Sequence, residues 1–407
     1  MSGYVRRGQF DRSCDMDLRF SASQEQFRQE LRRWLEQHPP PELPPELPLA
    51  EEVRLLRQWQ HTLWEGGWVG VHWPREYGGR GASLAEHYIL QEELARARSP
   101  ELVGRIGVNL VGPTLIAHGT EEQKRRYLLP ILTAEEIWCQ LFSEPGAGSD
   151  LASLRCRAEP AEGGYWVTGE KVWTSYAQFA RWGVMLARTA AGKRKTDGIT
   201  FLIVDMQSSG IEVRPLRQLT GSEEFNQVHF DRVWVPREQL VGEEGQGWHI
   251  AQTTLSHERG TSPRQLVIHR ILLHEMLRTA RGERDGGPPL SAHPLLRQEM
   301  AQAWIEVELF KLLNWRVLTR LQRGEKLGAE ASVVKLFWSE MSQRMHETAL
   351  HLLGPRSILL GDPRGFAHGR WARSYLYYRA ATIFAGTSEI QRNILAQRVL
   401  GLPREPR

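Results

Sequence analysis

Cysteine is scarce: Cys14, Cys139 and Cys156 are the only three in 407 residues, widely spaced and odd in number. That excludes a disulfide scaffold, suggests no metal cluster, and favours a reducing compartment. No run of about 20 apolar residues occurs, so no membrane insertion is expected. The first 20 residues hold Arg6, Arg7 and Arg12 but no apolar core. A secretory signal is therefore excluded, and a cytoplasmic location is expected, with an organelle-targeting reading left open. Neither sign of charge dominates, with 52 basic against 48 acidic residues and a net charge of +4. Such a balance describes a solvated surface and gives no footing for nucleic acid; Lys193-Arg194-Lys195 is an isolated basic run. The strand-GxGxxG-helix fingerprint of a nicotinamide enzyme is missing. So are internal repeats, and low complexity is confined to the proline-rich Pro39 to Pro48.

What is present reads as a large soluble protein. Hydrophobic residues make up 41% and charged residues 25%, and 407 residues exceed one ordinary core, so two or three domains are expected. Phe20, Phe27, Leu31, Trp34 and Leu35 recur at helical spacing. Further helical patterns cover 51–64, 83–97 and 120–132, the last capped by Thr120. After about Glu136 the pattern turns to strands. Gly164 to Trp173 reads as two strands around a turn, Thr200 to Val204 as a short strand, and Val228 to Val235 as a strand ended by Pro236. From Gly247 helices return, over 247–281, 293–323, 327–354 and 370–400, the first kinked by Pro263. The expected fold is α+β and multidomain. It comprises an N-terminal helical domain (17–135), a middle β-barrel or sandwich (136–243), and a C-terminal four-helix bundle (244–402).

Three motifs stand out. One is Gln140-Leu141-Phe142-Ser143-Glu144-Pro145-Gly146-Ala147-Gly148-Ser149-Asp150. The second is Lys171-Val172-Trp173-Thr174-Ser175, and the third Gly386-Thr387-Ser388-Glu389-Ile390-Gln391-Arg392. Taken alone, the first two read as a Gly-rich turn followed by a buried tryptophan. Together, at this spacing, the three resemble the acyl-CoA dehydrogenase family, over about residues 17 to 405. The resemblance implies FAD as cofactor and an acyl-CoA thioester as substrate. It implies that Phe142 and Ser143 meet the edge of the flavin ring. Trp173 would shield one face, Ser175 would bond near the reactive nitrogen, and Ser149 would reach the pyrophosphate. Thr387 belongs to the same implied cofactor set.

A desaturase also needs a base for the α-proton, preferably a carboxylate in a dry pocket. Many relatives carry it just before the C-terminal Gly-Thr, where this chain has Ala385. One branch carries it on the first helix of the C-terminal bundle, just before an arginine. This chain has Ser256-His257-Glu258-Arg259 there, which makes Glu258 the expected base and Arg259 the residue that orders the pocket. On a helix His257 points about 100° away from Glu258 and is the weaker candidate. Ala385 keeps its N–H, which the resemblance assigns to polarising the thioester carbonyl. The implied reaction gives the α-proton to Glu258 and the β-hydride to flavin N5, with electrons passing to an electron-transfer flavoprotein.

One element departs from the family. A glycine stretch that helps bind the adenosine end of the flavin across subunits is reduced to Gly354 within His351-Leu352-Leu353-Gly354-Pro355-Arg356. That departure resembles a bacterial branch of mixed tetramers acting on bulky acyl-CoAs such as steroid side chains. A homotetramer or a heterotetramer with a paralogue is expected. Two other functions remain open at this point: a flavin-poor partner subunit, and an oxygen-using hydroxylase or oxidase of the same fold.

Overall fold

A computed structural model of the chain describes residues 19–44, 46–256, 261–282, 289–325, 328–362 and 364–403. The N-terminal third is helical. α1 (Ala22–Gln37), α3 (Leu84–Arg96) and α5 (Glu121–Thr133) each open on a capping box, formed by Ser21 with Gln24, Ser83 with Glu86, and Thr120 with Gln123. In each, hydroxyl and amide or carboxylate side chains satisfy two otherwise unpaired N–H groups. α2 (Leu49–Glu65) starts after the proline-rich segment. A π turn, Gly107–Val111, leads into the short α4 (Gly112–His118). The sequence pattern gave no sign of this pair, because glycine at both ends and Pro113 depress helix propensity there.

The middle third is one mixed seven-stranded sheet: β1 (Trp138–Leu141), β2 (Arg157–Ala161), β3 (Gly164–Ser175), β4 (Trp182–Arg188), β5 (Ile199–Asp205), β6 (Ile211–Leu216) and β7 (Phe225–Pro236). Along one edge, β4 pairs in parallel with β1 and then, at Arg188, with β2; along the other it pairs with β5. The path continues through antiparallel β2, β3, β7 and β6. At β4 and β5 both faces are covered. Val184, Leu186, Phe201 and Ile203 enter a core shared with the N-terminal helices, while Met185, Ala187, Leu202 and Val204 enter the core inside the sheet. Two-sided burial is why β5 reads as a continuous apolar run. The stretch expected as two strands, 164–173, is instead the single strand β3. Its register with β7 slips twice, between Val167 and Gly169 and between Lys171 and Thr174, which bends the strand without a reversal.

α6 (Gly247–Ser256) lies on β5, and its Ile250 and Ala251 join the core shared with the N-terminal helices. Gly247 permits that approach: a Cβ there would stand 2.5 Å from the Thr200 carbonyl carbon. The bundle proper is α7 (Pro263–Arg281), α8 (Pro294–Gln322), α9 (Glu330–Leu353) and α10 (Arg370–Tyr378), with α11 (Ser388–Arg398) beside it. Met276, Phe310, Met341, Met345 and Trp371 fill its centre.

Two expected helices are in fact broken. The span 247–281 is α6 and α7, not one kinked helix. Pro263 is the first residue of α7, where its missing N–H costs no bond, and the preceding Ser262 N–H donates to Asn314 Oδ1 at 2.6 Å. The span 370–400 is α10 and α11. Between them Ala385 and Gly386 take φ of +53° and +87°, which no right-handed helix can accommodate.

Candidate active site

The first motif leaves β1 and makes a tight turn. Glu144 and Ala147 exchange backbone hydrogen bonds of 3.1 and 3.0 Å around Pro145-Gly146. The Glu144 carboxylate points inward. It accepts from Arg155 N–H at 2.6 Å, from Cys156 N–H at 2.9 Å and from Lys171 Nζ at 2.8 Å. Lys171 is fully buried in β3 and also donates to Phe142 O at 3.1 Å and Leu186 O at 2.8 Å. An ammonium with three acceptors around it is satisfied, and so tolerated away from water. A further bond, Val172 N–H to Ser143 O at 2.9 Å, stitches the turn onto β3.

Immediately after that bond, β3 bulges. Lys171 pairs with Val228 and Thr174 with Asn226, so β3 carries one residue more than β7 between these pairs. Trp173 takes φ of +59°, and its side chain stays 61% exposed with its edge towards Phe225, centroids 6.3 Å apart. The bland reading of a buried tryptophan therefore fails: the bulge turns this ring outward and sends Thr174 into the interior. Phe142 is buried edge-on against Phe201 at 5.9 Å, Ser143 and Ser175 are half-buried, and Ser149 is exposed. Beyond Gly146 and Gly148 lies open space. Phe142, Ser143 and Trp173 thus lie beside the same turn.

The third motif sits on the bundle. Thr387 caps α11, accepting from Ile390 N–H at 3.2 Å. Gln391 Nε2 donates to Ala385 O at 3.0 Å and to Gly386 O at 3.3 Å, fixing the left-handed turn. Ala385 is exposed, and its N–H makes no backbone hydrogen bond among the described residues. Gly354 ends α9 with φ of +56° and ψ of −134°, a conformation that itself calls for glycine. Beside it His351 Nδ1 pairs with Glu299 at 3.0 Å, and Pro355 and Arg356 are exposed. Glu258 and Arg259, like His257, lie outside the described residues, between α6 and α7.

Arg105, before the π turn, is within electrostatic reach of Tyr176, next to Ser175, and of Tyr377, on α10. The buried Cys156 thiol is pushed up to about 11 by desolvation, and burial also raises Cys139, so neither is a nucleophile at neutral pH. Among the described residues no group of three or more His, Cys, Asp or Glu could hold a metal ion, and no helix is long and apolar enough to cross a membrane.

Family models for the acyl-CoA dehydrogenase N-terminal, middle and C-terminal domains match residues 21–135, 139–233 and 245–400. The chain belongs to the acyl-CoA dehydrogenase family. It is 38% identical to acyl-CoA dehydrogenase IpdE1 of Mycobacterium tuberculosis over 392 residues, covering 94% of this chain and 98% of that protein. Among solved structures, it resembles the ChsE4-ChsE5 complex from Mycobacterium tuberculosis, with a TM-score of 0.82 and 31% identity over 96% of this chain and 100% of that one. It likewise resembles the Tcur3481-Tcur3483 steroid ACAD, with a TM-score of 0.83 and 31% identity over the same shares of 96% and 100%. Both of those proteins are complexes of two different chains.

This acyl-CoA dehydrogenase is accordingly an oxidoreductase, of a family whose members bind FAD. The Glu144–Lys171 pair that locks its turn to β3 escaped the motif reading. A lysine inside a strand, facing the same way as Val167 and Thr174, was the available signal.

Proposed function

We propose that this chain catalyses FAD-dependent α,β-desaturation of a bulky acyl-CoA thioester, with steroid-derived acyl groups as the class that the resemblance to a steroid ACAD favours. The observation that carries the reading is the bulge in β3. It holds a large aromatic outward at 61% exposure, joined through the Val172–Ser143 bond to a turn with open space at Gly146 and Gly148. A planar ring system with a polar edge fits such a surface: Trp173 against a face, Phe142, Ser143 and Ser175 at the edge, and Ser149 and Thr387 towards the phosphates. Bound FAD would supply the acceptor for the hydride that leaves the β-carbon.

The protein's own tasks are proton removal and charge stabilisation. Glu258 takes the α-proton, and Arg259 orders the pocket around it. The Ala385 N–H, without a backbone partner among the described residues and held by the Gln391 bond to its own carbonyl, donates to the thioester oxygen as negative charge builds there. The absence of a side-chain acid at Ala385 leaves that donor intact. An electron-transfer flavoprotein is the proposed electron acceptor.

Glu258→Gln tests the assignment. Flavin content should be unchanged while turnover in a dye-reduction assay falls by about 10²–10⁴-fold. Near-normal turnover would remove Glu258 as the base. Adding Ala385→Glu to that variant should restore part of the rate, because the two base positions of the family reach one α-carbon from different helices. A folded, yellow double variant with no rescue would show that this pocket has lost the second geometry.

A further inference from the structure

Three hydrogen-bond donors without an acceptor line one cavity that desaturation does not use. The cavity measures about 330 Å³ and lies where α1 and α3 of the N-terminal domain meet α7 and α8 of the bundle. Tyr88 on α3 is only 2% exposed, and its ring packs near Phe20 and Trp315 at centroid distances of 6.4 and 6.2 Å. Among the described residues the Tyr88 hydroxyl has no hydrogen-bond partner, nor has the indole N–H of Trp315 on α8. Arg270 on α7 makes neither a hydrogen bond nor an ion pair among them. All three side chains line the cavity. Burial raises the Tyr88 pKa, so the hydroxyl keeps its proton and can donate it to an acceptor.

The other charges at the cavity are matched. Arg28 and Arg96 donate to Glu92 at 2.8 and 2.9 Å. Arg28 also meets Glu93, and Glu25 at 3.3 Å, while Arg32 donates to Glu93 at 2.7 Å. Lys311 pairs with Glu308 at 3.3 Å. These four cations therefore face four carboxylates, and the charge left over is that of Arg270. The acceptors on the α1 and α3 side are already engaged, whereas the donors named above are not.

We infer that this cavity binds a small oxyanion, a carboxylate or a phosphate monoester, carried on a flat apolar body. The oxyanion accepts from Arg270, whose planar fork matches two oxygens, and from the Tyr88 and Trp315 donors. The body rests against Phe20, Trp315 and the buried Leu266, which line the same space. A hydrocarbon seated there would leave the buried Tyr88 hydroxyl unpaired, and a cation would meet Arg270, so both are disfavoured. The volume is near the lower limit for ligand pockets, which suits a single-ring compound. Because Tyr88 belongs to the N-terminal domain and Arg270 and Trp315 to the bundle, the ligand bridges the two and stabilises their contact.

The test uses the flavin-loaded enzyme, purified with whatever chain it assembles with, and four compounds: benzoate, phenyl phosphate, inorganic phosphate and the neutral benzamide. Calorimetric titration should show benzoate or phenyl phosphate binding about tenfold or more tightly than benzamide. The favoured one should also raise the melting temperature. Preference for benzoate assigns a carboxylate ligand, and preference for phenyl phosphate a phosphate monoester. Arg270→Gln and Tyr88→Phe should each weaken the favoured anion about tenfold and leave benzamide unchanged. Benzamide binding as tightly as both aryl anions, or no binding of either anion, overturns the inference. Inorganic phosphate binding as tightly as the favoured aryl anion overturns it too, because the aromatic wall would then contribute nothing. So does an anion preference that both variants retain in full, since the anion would then sit elsewhere. If one variant does not fold the other decides, and the wild-type ranking of the four compounds is a test without either.

Discussion

At the scale of single residues, Lys171 and Glu144 hold the candidate site together from beneath. Lys171 is completely enclosed, and the carboxylate it meets is only 8% exposed. Removing one partner leaves the other charge buried with fewer bonds, which costs about 3–5 kcal/mol. Lys171→Met should therefore lower the unfolding free energy obtained from urea titrations, followed by tryptophan fluorescence, by an amount of that order, and the midpoint with it. It should also reduce flavin retained through gel filtration, because Phe142 O loses its bond and the turn loses its anchor. An unchanged midpoint would mean that the pair contributes little. Ala385 shows another local constraint. Its φ of +53° places a non-glycine residue where side chains are rarely found, and the Gln391 side chain keeps it there.

Elements are where burial of imidazoles makes the fold sensitive to acid. His269 on α7 bonds Gln265 O at 2.7 Å and Ser342 Oγ at 2.8 Å. His346 on α9 bonds Ser342 O at 2.7 Å and stacks on Tyr378 of α10, centroids 4.5 Å apart. Desolvation pushes His269 down to about 4 and His346 to about 3, and it pushes His87 on α3 down to about 4. Each group is depressed below its unfolded value near 6.5, so the folded state keeps it neutral while the unfolded chain takes up a proton. The stability from these sites is complete above about pH 6.5 and is lost as pH falls from there towards 4. Urea midpoints measured between pH 7 and 5 should fall accordingly. His346→Phe should reduce that slope by about one proton, or roughly 1.4 kcal/mol per pH unit. A slope identical to the wild type would show that carboxylates alone set the acid limit.

For the molecule as a whole, the question is what covers its open apolar surface. Trp304, Ile305, Leu309 and Leu312 on α8 are 46%, 51%, 45% and 39% exposed, and past α9 Ile358 is 81% exposed. Within the chain, Glu275 already clamps helical units together, accepting from Arg98 at 2.9 Å and from Arg370 at 2.6 Å. The surface left over is suited to other chains. Where an adenosine-binding glycine stretch is expected, Gly354 is followed by exposed Pro355 and Arg356. Proline donates no N–H, and arginine adds bulk where a phosphate needs close backbone approach. We predict that the chain expressed alone holds well under one FAD per chain or is poorly soluble. Co-expressed with a paralogue that keeps the glycines, it should form a mixed oligomer with about one FAD per pair, measured by absorbance and analytical ultracentrifugation. A homotetramer with one tightly bound FAD in every chain would overturn this.

The sequence by itself determined the helical–β–helical order and the family. Capping residues Ser21, Ser83 and Thr120, the two-sided apolar run of β5 and the three motifs are local signals, and local geometry obeys them. The juxtaposition of Ser143 with Trp173, by contrast, comes from the Val172–Ser143 bond between segments some 30 residues apart. Tertiary structure alone decided the rest. The outward turn of Trp173 depends on a register slip against β7, more than 50 residues away in sequence. The division of 247–281 into two helices depends on where α6 seats on β5 and where Pro263 can begin a new helix. The burial of Lys171 depends on acceptors from the turn after β1 and from β4. Such features are not written in any single stretch of sequence, because each exists only when distant segments exclude water from the same place.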